Sequence, residues 1–189
     1  MRHLFIFFFV LTLTVTAFSA TKTWDGGGPD TNWSTAANWS TDVAPVAGDD
    51  LVFPAAAPQQ SNNNNFFLLT IFNSITVEGG AYTFSGNPIR LVNGLTVSAG
   101  TATVNLAISL NGPQTFTAGA GGTATVAIIS IGSFALTIDG AGIVGFGLIS
   151  GSGSVTKNGS GAGAIIAASG FSGPLTLNNG IFVVDASIP

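Results

Sequence analysis

From Phe66 onward the chain alternates apolar and polar residues in short runs separated by glycine. Within 103–110, Val104, Leu106, Ile108 and Leu110 share one face. Phe134, Leu136 and Ile138 do the same, as do Leu175 and Leu177, and then Ile181 and Val183. A period of two with Thr, Ser and β-branched residues between predicts strands. Asn111-Gly112, Asp139-Gly140, Asn158-Gly159 and Asn179-Gly180 predict tight turns, because Asn and Asp tolerate positive φ and Gly accepts it freely. Strand starts recur roughly every ten residues, with no helical period between them. That spacing fits a sandwich or a solenoid. Three features favour a parallel β-solenoid, a β-helix-like stack: outward positions hold Thr, Ser, Asn and Ala rather than charges, Gly and Asn mark nearly every corner, and successive pieces look alike. A β-sandwich is the alternative.

Residues 20–65 differ. They hold all three tryptophans (Trp24, Trp33, Trp39) and five of the eight acids, and end in the polar run Gln59–Asn65, which reads as an exposed loop. The division expected is therefore 1–19, 20–65 as an N-terminal cap and loop, and 66–189 as the strand-repeat region.

Residues 1–19 run from Met1-Arg2-His3 through an apolar core, Leu4 to Leu11, to Ala17-Phe18-Ser19. A basic start, an apolar core and a small-x-small end form an export signal, with cleavage before Ala20. Thr12, Thr14 and Thr16 interrupt the run, leaving it short of the ~20 residues of a membrane span.

Composition sharpens the class. The chain is 46% hydrophobic and 6% charged, where a globular domain is about one quarter charged. Helix formers such as Met, Glu, Gln, Lys and Arg are scarce, and the class is all-β. Without 1–19, three cations (Lys22, Arg90, Lys157) face eight acids, a balance of −5. Three scattered cations cannot neutralise a phosphate backbone, which excludes nucleic acid as a partner, nor dock on anionic lipid. Cysteine is absent, and His3, the single histidine, lies in the export signal. Ser-His-Asp, Cys-His and common zinc or copper chemistry therefore fall away, along with any small-molecule cofactor.

Residues 149–161, from Ile149 through Lys157 to Gly161, resemble the opening of the autotransporter-associated β-strand repeat of bacterial surface proteins. Gly170 to Val184 resembles its continuation, with Phe171-Ser172-Gly173-Pro174 where the family carries a Tyr-Thr-Gly-Gly-Thr type of turn. Trp24–Gly28, Asn32-Trp33-Ser34, Ala37-Asn38-Trp39 and Pro45–Phe53 are similar to the segment behind the signal in such proteins. The resemblance implies a right-handed parallel β-solenoid passenger, secreted or at the outer-membrane surface, and brings no catalytic residues. It also implies a front fragment of a longer protein, reaching a membrane only through a downstream anchor or barrel.

Remaining chemistry is carboxylate-based. Asp49-Asp50 is the adjacent acid pair, expected to point to opposite faces of a solvated turn. Asp25 and Asp30 flank a Gly turn that would offer calcium only part of its oxygen shell. Glu78, Arg90, Asp139, Lys157 and Asp185 lie too far apart to form a lyase or hydrolase cluster. The motifs at Asn32, Asn38 and Asn158 match the glycosylation pattern by accident. Trp24, Trp33 and Trp39 have two readings: a cover over the first solenoid turn, which is favoured, or a platform on which sugars stack. The function expected is a structural or adhesive module without a catalytic site, its partners being its own copies or cell-surface glycans. A carbohydrate-binding module, or the front of a polysaccharide-acting β-helix enzyme, is the alternative.

Overall fold

The computed structural model describes residues 19–184; the expected export signal up to Phe18, and Asp185, lie outside the described residues. Sixteen strands form in chain order. The first eight are β1 (Thr21–Thr23), β2 (Asp50–Phe53), β3 (Ser61–Asn64), β4 (Thr70–Val77), β5 (Ala81–Gly86), β6 (Ile89–Val97), β7 (Gly100–Val104) and β8 (Ile108–Leu110). The others are β9 (Gln114–Ala118), β10 (Gly122–Gly132), β11 (Leu136–Asp139), β12 (Ile143–Gly151), β13 (Val155–Lys157), β14 (Ala162–Phe171), β15 (Leu175–Leu177) and β16 (Ile181–Val184). Every strand pairing is parallel, so the sandwich, which needs antiparallel meanders, is excluded.

The strands stack as a three-sided β-solenoid. One sheet, S1, runs β1, β2, the second half of β4, the second half of β6, β9, β11, β13 and β15. A second, S2, runs β3, β5, β7, then the first halves of β10, β12 and β14, then β16. The third, S3, takes the first halves of β4 and β6, then β8, then the second halves of β10, β12 and β14. On S2 the register advances by 20, 22, 20, 19 and 19 residues per turn, through Ala81, Thr101, Thr123, Ile143, Ala162 and Ile181. Each turn thus packs three short strands, more than the ten-residue spacing suggested. Sharp corners make this possible. Gly140 follows β11 at φ +91°, where an added Cβ would collide with the Ala118 carbonyl of the turn below.

Inward residues line up turn over turn. On S1 one column reads Leu51, Ile75, Leu95, Phe116, Ile138, Lys157 and Leu177. Val104, Leu106, Ile108 and Leu110 all point inward, although a bend splits them between β7 and β8. Each buried side chain of this size contributes about 1.5–3 kcal/mol, and in a stack it contacts only the adjacent turns. In β16 the core-facing residue is Phe182, register partner of Gly163, while Ile181 (63% exposed) and Val183 share the outer face.

The polar run Gln59–Asn65 is not the exposed loop expected of it. Ser61–Asn64 is β3, the first regular strand of S2, and Asn62 and Asn64 are buried. Their amides find partners: Asn62 Oδ1 accepts from Trp33 Nε1 at 2.8 Å, and Asn64 Nδ2 donates to the Asn87 carbonyl at 2.6 Å. Amides paired in this way enter a core at smaller cost, although Asn62 Nδ2 itself is buried without a partner, and composition alone reads both residues as solvent-facing.

Candidate functional site

The Trp-rich segment is itself an irregular first turn. After β1, Asn32 bridges Asn63 in parallel, extending S2, and Gly48 N–H donates to the Ile71 carbonyl of S3 at 2.9 Å before the chain returns to S1 as β2. Between them two short 3-10 turns, Ala36–Asn38 and Ser40–Asp42, bring Trp39 back against Trp24. All three indoles are 0% exposed. Trp24 and Trp39 meet edge to face at 5.2 Å, and Trp33 packs on Phe53 at 5.9 Å and Phe72 at 5.7 Å. Phe53 continues the cluster to Phe84 at 4.7 Å, and Tyr82 stacks on Phe84 at 5.8 Å.

Each indole N–H is used internally. Trp24 Nε1 donates to the Gln59 carbonyl at 2.7 Å, Trp33 Nε1 to Asn62 Oδ1 at 2.8 Å, and Trp39 Nε1 to the Trp33 carbonyl at 2.7 Å. A sugar-stacking platform needs an open ring face, and these rings present none. They form the cover of the first turn. Tyr82 belongs to it: its hydroxyl donates to the Pro54 carbonyl at 2.6 Å, and burial, with Glu78 nearby, pushes its pKa up to about 12.

The acids serve local structure. Asp30 accepts from Asn32 N–H (2.9 Å), Thr35 Oγ1 (3.0 Å) and Asn38 Nδ2 (3.2 Å). These donors, the Asn32 backbone first, hold its carboxyl below the usual range and occupy oxygens that calcium would need. Asp49 is buried rather than solvated, accepting from Ala20 N–H at 3.2 Å and Val46 N–H at 2.9 Å, so the expected solvated pair is corrected at this residue. Burial raises the Asp50 pKa, but hydrogen bonds from Ser19, Ser74 and Asn73 outweigh it and leave the group lowered.

Glu78 follows β4, Arg90 stands on the outer side of S3, Asp139 on that of S1, and Lys157 inside the core. The topology therefore does not bring these four together. Among the described residues no group of three or more His, Cys, Asp or Glu is gathered. Asn38, one of the glycosylation matches, is fully buried, its Nδ2 donating to the Asp30 and Asn32 carbonyls, both at 3.0 Å.

One feature was not anticipated, and another was expected only in outline. Lys157 is 1% exposed, with Nζ donating to the Gly159 carbonyl; burial lowers its pKa, partly opposed by Asp139. The other is the outer side of S1. There one file of side chains reads Thr115, Thr137, Thr156 and Thr176 in unbroken register. A parallel file, two residues along each strand, reads Thr76, Thr96, Thr117 and Asp139, and beyond it Asn178 Nδ2 donates to Asn158 Oδ1 at 2.7 Å. The sequence leads one to expect outward Thr, Ser and Asn, but which of them align on one face appears only when the turns are stacked.

No protein-family model matches the chain, and neither a curated protein nor a solved structure matches it.

Proposed function

We propose that the protein is an exported structural and adhesive module of a bacterial cell surface, in the manner of the autotransporter-associated repeat that its sequence resembles. The observation that carries this reading is the solenoid's division of labour. Its inward columns, Lys157 apart, are apolar and closed at the first turn by the tryptophans, while the outer face of S1 aligns hydroxyls and amides. Such a rod holds a neutral face at a fixed distance from its point of attachment, and needs no reactive centre. The export signal of residues 1–19 supports delivery beyond the inner membrane.

The full chain expressed in a bacterium with two membranes tests this. The expected product begins at Ala20 and is cut by protease added to intact cells. A product that keeps residues 1–19 and stays in the cytoplasm overturns the proposal.

A further inference from the structure

Four Asn-Gly pairs lie along the chain, at Asn93, Asn111, Asn158 and Asn179. An asparagine in this position loses ammonia when the glycine nitrogen attacks its side-chain carbonyl carbon, since no Cβ shields that nitrogen. In an unfolded chain the four pairs are comparable. Folding decides between them, because the reacting atoms must come within about 3–3.5 Å of each other.

The solenoid holds two pairs away from that geometry. Asn93 Nδ2 donates to Asn73 Oδ1 at 2.7 Å, and Gly94 is buried inside β6, where an added Cβ would meet the Thr115 carbonyl. Asn158 Oδ1 accepts from Asn178 Nδ2 at 2.7 Å, which directs its amide along the stack, and Gly159 is buried against Gly140 of the turn below. Asn111 is exposed and Gly112 is unpacked, so this pair meets only as the side chain turns.

Asn179 differs. It is exposed at the S1-to-S2 corner between β15 and β16, and Gly180 N–H donates to Asn179 Oδ1 at 2.8 Å. With a C=O bond of about 1.23 Å, that contact sets the nitrogen about 3–3.5 Å from Cγ. The corner is anchored on both sides: Asn178 N–H donates to the Lys157 carbonyl at 2.9 Å, and Ile181 N–H to the Gly161 carbonyl at 3.2 Å. The same contact recurs two turns below, where Gly140 N–H donates to Asp139 Oδ1 at 2.7 Å, so a carboxylate fits a corner of this kind.

We propose that Asn179 is a self-modification site that cyclises onto Gly180 and opens to aspartate and isoaspartate. The Gly180 nitrogen loses its proton and bonds to Asn179 Cγ; the Cγ–Nδ2 bond breaks, and Nδ2 takes up a proton and leaves as ammonia. Water then adds to one of the two carbonyls of the cyclic imide. Opening at Cγ gives aspartate, and opening at the main-chain carbonyl gives isoaspartate, with no oxidation or reduction. Either product replaces a neutral amide with a carboxylate. Isoaspartate also lengthens by one atom a corner where Gly180, at φ +79°, packs closely on the Gly161 carbonyl.

The test incubates the purified chain, folded and in concentrated urea, in heavy-oxygen water, which labels only conversions made during the incubation. Peptide fragmentation by mass spectrometry then assigns conversion to each asparagine. In folded protein Asn179 is expected to convert at least about tenfold faster than Asn93 and Asn158, and about threefold faster than Asn111, while in urea the four rates converge. Isoaspartate is expected among the products, and Asn179→Gln is expected to stop conversion there, because its ring closure needs a larger, slower-forming imide. A folded-state rate at Asn179 no greater than at Asn111 or Asn158 overturns the proposal. So does a lead that persists unchanged in urea, or a product without isoaspartate, since direct hydrolysis bypasses the Gly180 nitrogen.

Discussion

Replacing Trp33 with alanine probes the cover on the first turn. The ring is fully buried against Phe53, Phe72 and Phe84, and its N–H holds Asn62 Oδ1 in the core. Truncating a buried aromatic of this size costs about 3–5 kcal/mol. Leaving the Asn62 acceptor unpaired adds about 1–3 kcal/mol, since Asn62 Nδ2 is already buried without a partner. The expected loss is therefore at least about 4 kcal/mol, a large share of the 5–15 kcal/mol typical of a folded protein. Trp33→Phe keeps most of the apolar contact and is expected to lose about half as much. Urea unfolding followed by far-UV circular dichroism measures both, the shift in midpoint giving the energy and the slope the surface exposed. Because a solenoid is held by nearest-neighbour turns, Trp33→Ala is also expected to lower the slope as the first turns detach early. A Trp33→Ala protein within about 1 kcal/mol of wild type refutes the reasoning, and returns the indoles to the status of a dispensable surface cluster.

Further outcomes follow from other turns. Tyr82 is the single tyrosine, so its ultraviolet titration reads one group: the midpoint is expected near 12, and a midpoint near 10 in folded protein contradicts the buried, hydrogen-bonded hydroxyl. Because its folded pKa is raised, the stability it contributes is complete below about 10, the unfolded value, and is lost as pH climbs through 12. Lys157 has the opposite sign: a lysine depressed on folding makes stability rise as pH approaches the ordinary lysine value of 10.5 from below. Lys157→Met is expected to flatten that rise and to stabilise the protein at neutral pH by about 1–3 kcal/mol, read by urea unfolding. Gly140→Val is expected to cost at least about 3 kcal/mol, combining an unfavourable φ with collision against the Ala118 carbonyl, read by thermal unfolding.

The inward columns were legible because period-two alternation is a local signal: Val104, Leu106, Ile108 and Leu110 read from sequence as they stand in the fold. Asp139-Gly140 likewise marks its corner. What the sequence hid depends on register between turns. Asn62 and Asn64 read as solvent-facing until Trp33 and the Asn87 carbonyl are placed beside them. Lys157 reads as a surface cation, yet it stands between Ile138 and Leu177 in an apolar column. Ile181 and Val183 were rightly put on one face, but that this face is the outer one is decided by register, which pairs them with Ala162 and Ala164 and sets Phe182 against the buried Gly163. The threonine files are hidden for the same reason, their members lying about 20 residues apart in sequence.

Disulfide trapping tests the parallel stacking of turns most directly, because the chain contains no cysteine of its own. Thr103 and Thr125 are register partners on the outer side of S2, within the Cα separation of about 4.4–6.8 Å that a disulfide spans. Thr103 and Thr117 are closer in sequence but lie on S2 and S1. The Thr103→Cys/Thr125→Cys protein is expected to close its disulfide under mild oxidation without change in circular dichroism, while Thr103→Cys/Thr117→Cys stays reduced. Closure of the second pair, with the first remaining open in folded protein, contradicts the solenoid and every surface derived from it.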